Sequence, residues 1–174
     1  MSSLKIKTYP AAVLMGKATA VENIDGKVVK LIEDMKETMF ECEGQGLAAP
    51  QVGHSTKIII ADPSLKEPDK YKLTVIINPE IVYSEGIMES TEGCLSLPKS
   101  TFTVNRAMRV FVKGADIDGN TLEIEATGNF ARILQHEIDH LHGILLLNRI
   151  SESEKAAYDK KNLKNAKKRI FLKS

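Results

Sequence analysis

Residues 129–142 read NFARILQHEIDHLH, and this stretch decides the fold. Its apolar residues recur at helical spacing and cover most of the circumference of one helix. They are Phe130, Ile133, Leu134, Ile138 and Leu141. A helix that is apolar almost all round belongs in the interior of a protein. We therefore predict one central buried helix, with the rest of the chain packed around it.

The same helix carries the pattern H-E-x-x-H, formed by His136, Glu137 and His140. Four helical residues bring the two histidines onto one face, about 6 Å apart along the axis, so that both imidazoles can bind one metal ion. Glu137 lies beside them and can accept a proton from an attacking water molecule. Because buried titratable groups need partners, the apolar helix favours a metal site over two solvated surface histidines.

A catalytic tetrahedral site has three protein ligands and one open position, so a third ligand must come from elsewhere. The metzincin pattern would place a histidine ten residues after the first, but that position is Leu146. Cys94 stands in EGCLSLP at 92–98, a glycine-flanked turn that allows close approach of the backbone. Cys42 is the competing thiol, and we interpret it as a small residue without a chemical role.

The stretch GQGLAAPQVG at 44–53 formally satisfies the dinucleotide-binding fingerprint G-x-G-x-x-A. That fingerprint must follow a strand and open a helix. Here a predicted helix precedes the stretch, and Pro50 disfavours a helix beyond it. We therefore interpret it as a loop with exposed backbone that carries the side-chain amide of Gln51 to the site.

Periodicity and turn residues predict the remaining elements. An amphipathic helix capped by Asp25 precedes three short β-branched or apolar runs, at 57–61, 73–77 and 81–83. Alternation on both sides of the turn at 118–120 predicts a β-hairpin. The fold class is therefore α+β: a single domain of short, mostly antiparallel strands around the central helix, which carries the metal site, plus a C-terminal helix.

The composition is that of an ordinary globular protein, with 174 residues, 43% of them hydrophobic and 27% charged. The longest apolar runs are far too short to span a membrane, and the start of the chain has no apolar segment of signal-peptide length. Two cysteines without an export signal are expected to be free thiols or metal ligands. We expect a cytoplasmic protein with no membrane partner.

The charge is distributed unevenly along the chain. Residues 155–174 contain eight Lys or Arg against one acid, so this segment carries about +7 and the remainder about −6, although the net charge is +1. A capping box at 151–154 marks the start of the terminal helix. We place a catalytic domain at 1–150 and a basic helix of the same domain, available for docking, at 151–174.

Three separated motifs together resemble the peptide deformylases: GQGLAAPQVG at 44–53, EGCLSLP at 92–98 and QHEIDHLHG at 135–143. The resemblance covers almost the whole chain, and the charged terminal helix looks like that of the bacterial and organellar subclass. It implies hydrolysis of the N-formyl group from formyl-methionine at the start of nascent polypeptides, with release of formate. The segregated charge and this resemblance together predict that the basic helix at 155–173 docks on ribosomal RNA, and the alternative is a solvated surface that binds nothing.

The resemblance further implies a role for each matching residue. The metal ligands are Cys94, His136 and His140. Glu137 is the general acid and base, while Gln51 and the backbone N–H of Leu95 hold the carbonyl oxygen. The implied ion is Fe²⁺, with Zn²⁺, Ni²⁺ or Co²⁺ able to substitute.

Five residues in or near the motifs are assigned to substrate binding: Gln45, Gly46, Glu92, Gly93 and Ile133. Ile133 lies one helical turn before the H-E-x-x-H pattern, on the same face. We predict that it lines the pocket for the methionine side chain. The alternative role for Ile133 is that of an ordinary core residue.

Two other classes of protein share part of the pattern. A zincin-like metallopeptidase has H-E-x-x-H but takes its third ligand from downstream of that helix, and the Cys94 motif favours a deformylase instead. A structural zinc protein that binds nucleic acid through its basic tail would close the metal site with a fourth protein ligand. The sequence offers no good candidate for that ligand.

Overall fold

The computed structural model describes residues 3–65 and 72–171, with the side chains of the last helix described as far as residue 162. The described residues form three α-helices and seven β-strands. The helices are α1 (Gly26–Glu41), α2 (Gly128–Leu141) and α3 (Glu152–Phe171). The strands are β1 (Gly46–Ala48), β2 (Ile58–Ala61), β3 (Thr74–Glu85), β4 (Met88–Cys94), β5 (Leu97–Arg106), β6 (Arg109–Ala115) and β7 (Thr121–Thr127).

Five of these strands form one antiparallel sheet in the order β1-β2-β3-β6-β7, while β4 and β5 form a separate hairpin. The runs predicted at 73–77 and 81–83 are parts of the single strand β3. The residues between them, Asn78 and Pro79, interrupt the register without ending the strand. Asn78 adopts a φ of 53° and proline has no N–H to donate, so the chain makes a bulge there.

The sheet is covered by a helix on each face. Successive residues of a strand point to opposite faces, and β2 shows this division: Ile59 packs with the apolar residues of α2, whereas Ile58 and Ile60 pack with those of α1. The apolar residues that predicted the central helix are all buried: Phe130, Ile133, Leu134, Ile138 and Leu141. The predicted α+β fold with one central buried helix is therefore confirmed.

Two helix starts follow their predicted capping residues. The carboxylate of Asp25 accepts hydrogen bonds from the backbone N–H groups of the first turn of α1. At α3, Ser151 N–H donates to the carboxylate of Glu154 at 3.0 Å, and Glu154 N–H donates to Ser151 Oγ at 3.3 Å. No described helix combines the length and the apolar character needed to cross a membrane.

The interpretation of 44–53 as an exposed loop is wrong. Residues 46–48 form β1, which pairs with β2, and residues 47–52 are buried. The β4–β5 hairpin was not predicted, because only its turn, which the structure places at 95–96, had a sequence signal. Strand β4 has few apolar residues to alternate, since one of its ends contributes to a polar site.

Candidate metal centre

Cys94, His136 and His140 meet where the end of β4 lies against α2. Their ligand atoms all lie within 4.8 Å of one another, and Cys94 Sγ is 3.3 Å from His140 Nε2. Burial acts to raise the pKa of the Cys94 thiol, but the two histidines outweigh it and hold that pKa well below its usual value. One thiolate and two imidazoles are a donor set that suits a divalent transition metal and leaves one position open. The residues present therefore fit such an ion.

Glu92 fixes the orientation of His136. Its Oε2 lies 2.8 Å from His136 Nδ1, and Arg106 donates to both oxygens of Glu92 at 2.8 Å. Burial acts to raise the pKa of Glu92, but hydrogen bonds from Arg106 and His136 outweigh it and lower the pKa to about 2. The ionised carboxylate accepts from Nδ1–H of His136, which leaves Nε2 as the donor atom for a metal.

Glu137 is buried on α2 next to the metal donors. Its Oε2 has no hydrogen-bond partner among the described residues, and burial raises the pKa of the carboxyl group. Gly46 lies against it so closely that a Cβ there would come within 2.5 Å of Glu137 Oε1. A buried carboxyl group with a raised pKa and an unengaged oxygen is suited to accept and release a proton.

The side chain of Gln51 extends to the metal-binding group from the turn that follows β1. Its Oε1 accepts from the backbone N–H of Ala48 at 2.8 Å, so the amide can turn only its N–H donors inward. The Nε2 group lies 3.6 Å from Cys94 Sγ and 3.4 Å from Ser96 Oγ. Leu95, which follows Cys94, is half-buried at the edge of the same space.

A cavity of about 710 Å³ opens beside these groups. Its wall includes the five residues that the sequence analysis assigned to substrate binding: Gln45, Gly46, Glu92, Gly93 and Ile133. Ile133 is also only 1% exposed and packs in the apolar core between α2 and the sheet. It therefore has both of the roles considered for it, as a cavity-lining residue and as a core residue. Cys42 is exposed at the end of α1 and is not a member of the metal-binding group.

Comparison with known proteins shows the family. The family described as polypeptide deformylase matches residues 3–156. A peptide deformylase of Thermodesulfovibrio yellowstonii is 52% identical over 161 residues, which cover 92% of this chain and 97% of the relative. The chain belongs to the polypeptide deformylase family. A second relative, the peptide deformylase of Desulfotalea psychrophila, is 44% identical over 161 residues, 92% of this chain and 95% of its own.

The deformylase fold is shared as well. The crystal structure of a peptide deformylase from Legionella pneumophila superposes with a TM-score of 0.87 at 39% identity, over 99% of each chain. The predicted family, fold class and amide-hydrolase function are thereby confirmed. The zincin-like alternative is not favoured.

Glu92 lines the cavity of this deformylase site, but its carboxylate already has partners within the protein. It was predicted to bind substrate, but both of its oxygens accept hydrogen bonds from Arg106 and one of them also contacts His136. A carboxylate with these partners positions a metal-binding imidazole. We therefore assign Glu92 to the support of His136.

Glu92→Gln should lower the affinity for metal by about ten- to a hundredfold, the usual cost of losing an outer partner of a metal-binding histidine. The neutral amide of the new glutamine cannot hold both the imidazole of His136 and the guanidinium of Arg106. Competition with a coloured chelator measures the affinity, and Glu89→Gln, at an exposed position of the same strand, is the matched control. Equal affinities in the two variants would show that Glu92 does not support the site.

Two arginines of the site escaped the sequence analysis. Arg106 is 3% exposed and joins Glu92 to Asp139 of α2. It lies outside all three motifs, and the one sequence signal is its alternation with the buried Val104 on β5. Arg132 lines the cavity, and its spacing of four residues from His136 was the signal that could have identified it.

Proposed function

We propose that this chain removes the N-formyl group from formyl-methionine at the start of nascent polypeptides, giving formate and a free amine. One observation carries the proposal: three metal donors lie within 4.8 Å of one another, and two of them, Cys94 and His136, line the same cavity as the buried carboxyl group of Glu137. This combination provides a Lewis acid site and a proton acceptor for hydrolysis of an amide.

We propose further that Cys94, His136 and His140 hold one divalent ion, Fe²⁺ in the cell, with Zn²⁺, Ni²⁺ or Co²⁺ able to take its place. When bound, the ion polarises the formyl carbonyl and acidifies water. The mixed sulfur and nitrogen donors suit all four ions. The choice of iron rests on the resemblance of the three motifs to the family.

The protein groups supply the proton transfers and part of the charge stabilisation. Glu137 accepts a proton from the attacking water and delivers it to the nitrogen of the leaving amine. Gln51 Nε2 and the backbone N–H of Leu95 donate to the formyl oxygen as negative charge develops there. Because Ala48 holds the carbonyl end of the Gln51 side chain, this donor is oriented before the substrate arrives.

Removal and return of metal tests the proposal. Enzyme treated with a chelator should release no formate from formyl-Met-Ala-Ser, and adding Fe²⁺ under anaerobic conditions or Ni²⁺ should restore release. Unchanged release by the chelated enzyme would contradict metal-dependent deformylation.

The iron-loaded enzyme should lose activity in air much faster than the nickel- or zinc-loaded enzyme. A thiolate such as Cys94, beside a redox-active ion, is prone to oxidation, whereas Zn²⁺ has no redox chemistry of its own. Formate release after timed exposure to air measures the decay, with Cys42→Ala as the background that removes the exposed thiol. Equal decay rates for all the metals would contradict the iron–thiolate assignment.

We also propose that the basic C-terminal helix docks on ribosomal RNA, and that the protein works in the cytoplasm, where formylated chains leave the ribosome. Tyr158 supports this arrangement because it is buried against Tyr9 and Phe102 and anchors the start of α3. Lys160 and Lys161 are exposed just beyond that anchor. Further basic residues follow in the sequence at Lys164, Lys167, Lys168, Arg169 and Lys173, beyond the described side chains.

Replacing Lys164, Lys167, Lys168 and Arg169 with glutamine should abolish co-sedimentation with ribosomes at low salt, because phosphate neutralisation and counterion release are lost. Turnover of a short formyl-peptide should stay unchanged. Substitution in the full chain is preferable to truncation before Lys155, which would remove Tyr158 from the core.

Four exposed lysines outside α3 provide the matched control when they are replaced with glutamine: Lys5, Lys17, Lys27 and Lys72. This variant should still co-sediment with ribosomes. If the α3 variant co-sediments as well as the wild type does, the basic residues of the helix form a solvated face and do not bind RNA.

A further inference from the structure

One part of the cavity wall is polar and belongs to the turn of α2 just before the H-E-x-x-H pattern. Arg132 and Ile133 line the cavity from the turn of α2 that precedes His136 and Glu137. Arg132 comes four residues before His136, a distance of about 6 Å along the helix axis. If the formyl group reacts at the metal centre, a methionine-length side chain on the next carbon can reach this turn.

The guanidinium group of Arg132 is held in place by two side-chain amides. Its Nε and Nη2 both donate to Asn129 Oδ1 at 3.0 Å, and Nη2 also donates to Gln45 Oε1 at 2.8 Å. None of these hydrogen bonds uses Nη1, which therefore has no acceptor within the described part of the chain. The cavity thus contains a fixed cationic group with a donor still available.

The cavity wall also includes apolar side chains. Ile133 and Leu95 line the cavity together with Arg132, so the wall combines aliphatic surface with a hydrogen-bond donor. That combination fits an unbranched side chain that carries an acceptor at its δ position. Methionine has a thioether sulfur there, which is a weak acceptor, whereas norleucine has a methylene group. Methionine sulfoxide carries an oxygen on the same sulfur and is a much stronger acceptor.

We propose that Arg132 determines specificity for the first side chain of the substrate by donating a hydrogen bond from Nη1 to an acceptor at the δ position. Formyl-methionine is then favoured over formyl-norleucine, and formyl-methionine sulfoxide is also a substrate. This inference rests on the proposed deformylase function. It means that a nascent chain whose first methionine is oxidised is still deformylated.

The test measures kcat/KM for formate release from formyl-X-Ala-Ser, where X is methionine, norleucine or methionine sulfoxide, with the same metal throughout. The wild type should prefer the sulfoxide to norleucine. Arg132→Leu should lower this preference about tenfold, the effect of losing one hydrogen bond from a charged donor. Arg132→Lys should keep part of the preference, and Arg109→Leu, which changes an exposed arginine of β6, should keep all of it.

A purely structural role for Arg132 would lower kcat/KM for the three peptides alike, so an equal preference in the wild type and in Arg132→Leu overturns the proposal. The wild type alone can also overturn it, by preferring norleucine to the sulfoxide, even if Arg132→Leu does not fold. A metal-loaded wild type that releases no formate from any of the three peptides contradicts the deformylase function itself.

Discussion

Glu137→Ala will lower formate release by a factor of about a hundred or more, while the bound metal stays in place. Glu137 lies beside the three metal donors but is not one of them. Its Oε2 has no hydrogen-bond partner among the described residues, so the carboxyl group is not committed to another structural contact there. Turnover and metal content, measured on the same preparation, separate the loss of a proton acceptor from the loss of a ligand.

Two further variants sharpen this result. Glu137→Gln keeps the side-chain volume that faces Gly46 but cannot transfer a proton, so it should be as inactive as the alanine variant. Glu22→Ala removes an exposed glutamate and should be fully active. Near-normal turnover by either Glu137 variant would show that another group handles the proton.

Cys94→Ala should lose both metal and activity. The thiolate is one of three donors, so its removal should weaken metal binding by more than about a hundredfold, beyond the usual effect of losing an outer partner. Elemental analysis after dialysis measures the metal retained. Cys42→Ala is the matched control, since it removes the exposed thiol at the end of α1 and should leave metal content unchanged. Full metal content in Cys94→Ala would exclude the sulfur as a ligand.

Much of this site could be predicted because its residues lie on elements with strong local patterns. The helical period of α2 places His136 and His140 on one face, and the apolar circumference of the same helix indicates that the face is buried. The capping residues Asp25 and Ser151 mark two helix starts by the same kind of local rule. In each case, neighbours within one helical turn carry the whole signal.

The parts that escaped prediction depend on contacts between residues distant in the sequence. Strand β1 forms because β2 pairs with it and because α2 packs against both strands. The local propensity of its glycine-rich segment does not indicate these contacts. The same holds for the contacts of Glu92, which was predicted to bind substrate. Its actual partner, Arg106, is on the neighbouring strand of a hairpin that the sequence pattern did not predict.

The most direct test of the account follows both kinds of amide bond in one substrate. Formyl-Met-Ala-Ser is incubated anaerobically with the iron-loaded enzyme, and formate, free Met-Ala-Ser and smaller peptides are quantified together. The account predicts formate and intact Met-Ala-Ser in equal amounts, and no reaction of the unformylated peptide. Cleavage of the Met–Ala bond, or release of no formate by enzyme with full metal content, would contradict it.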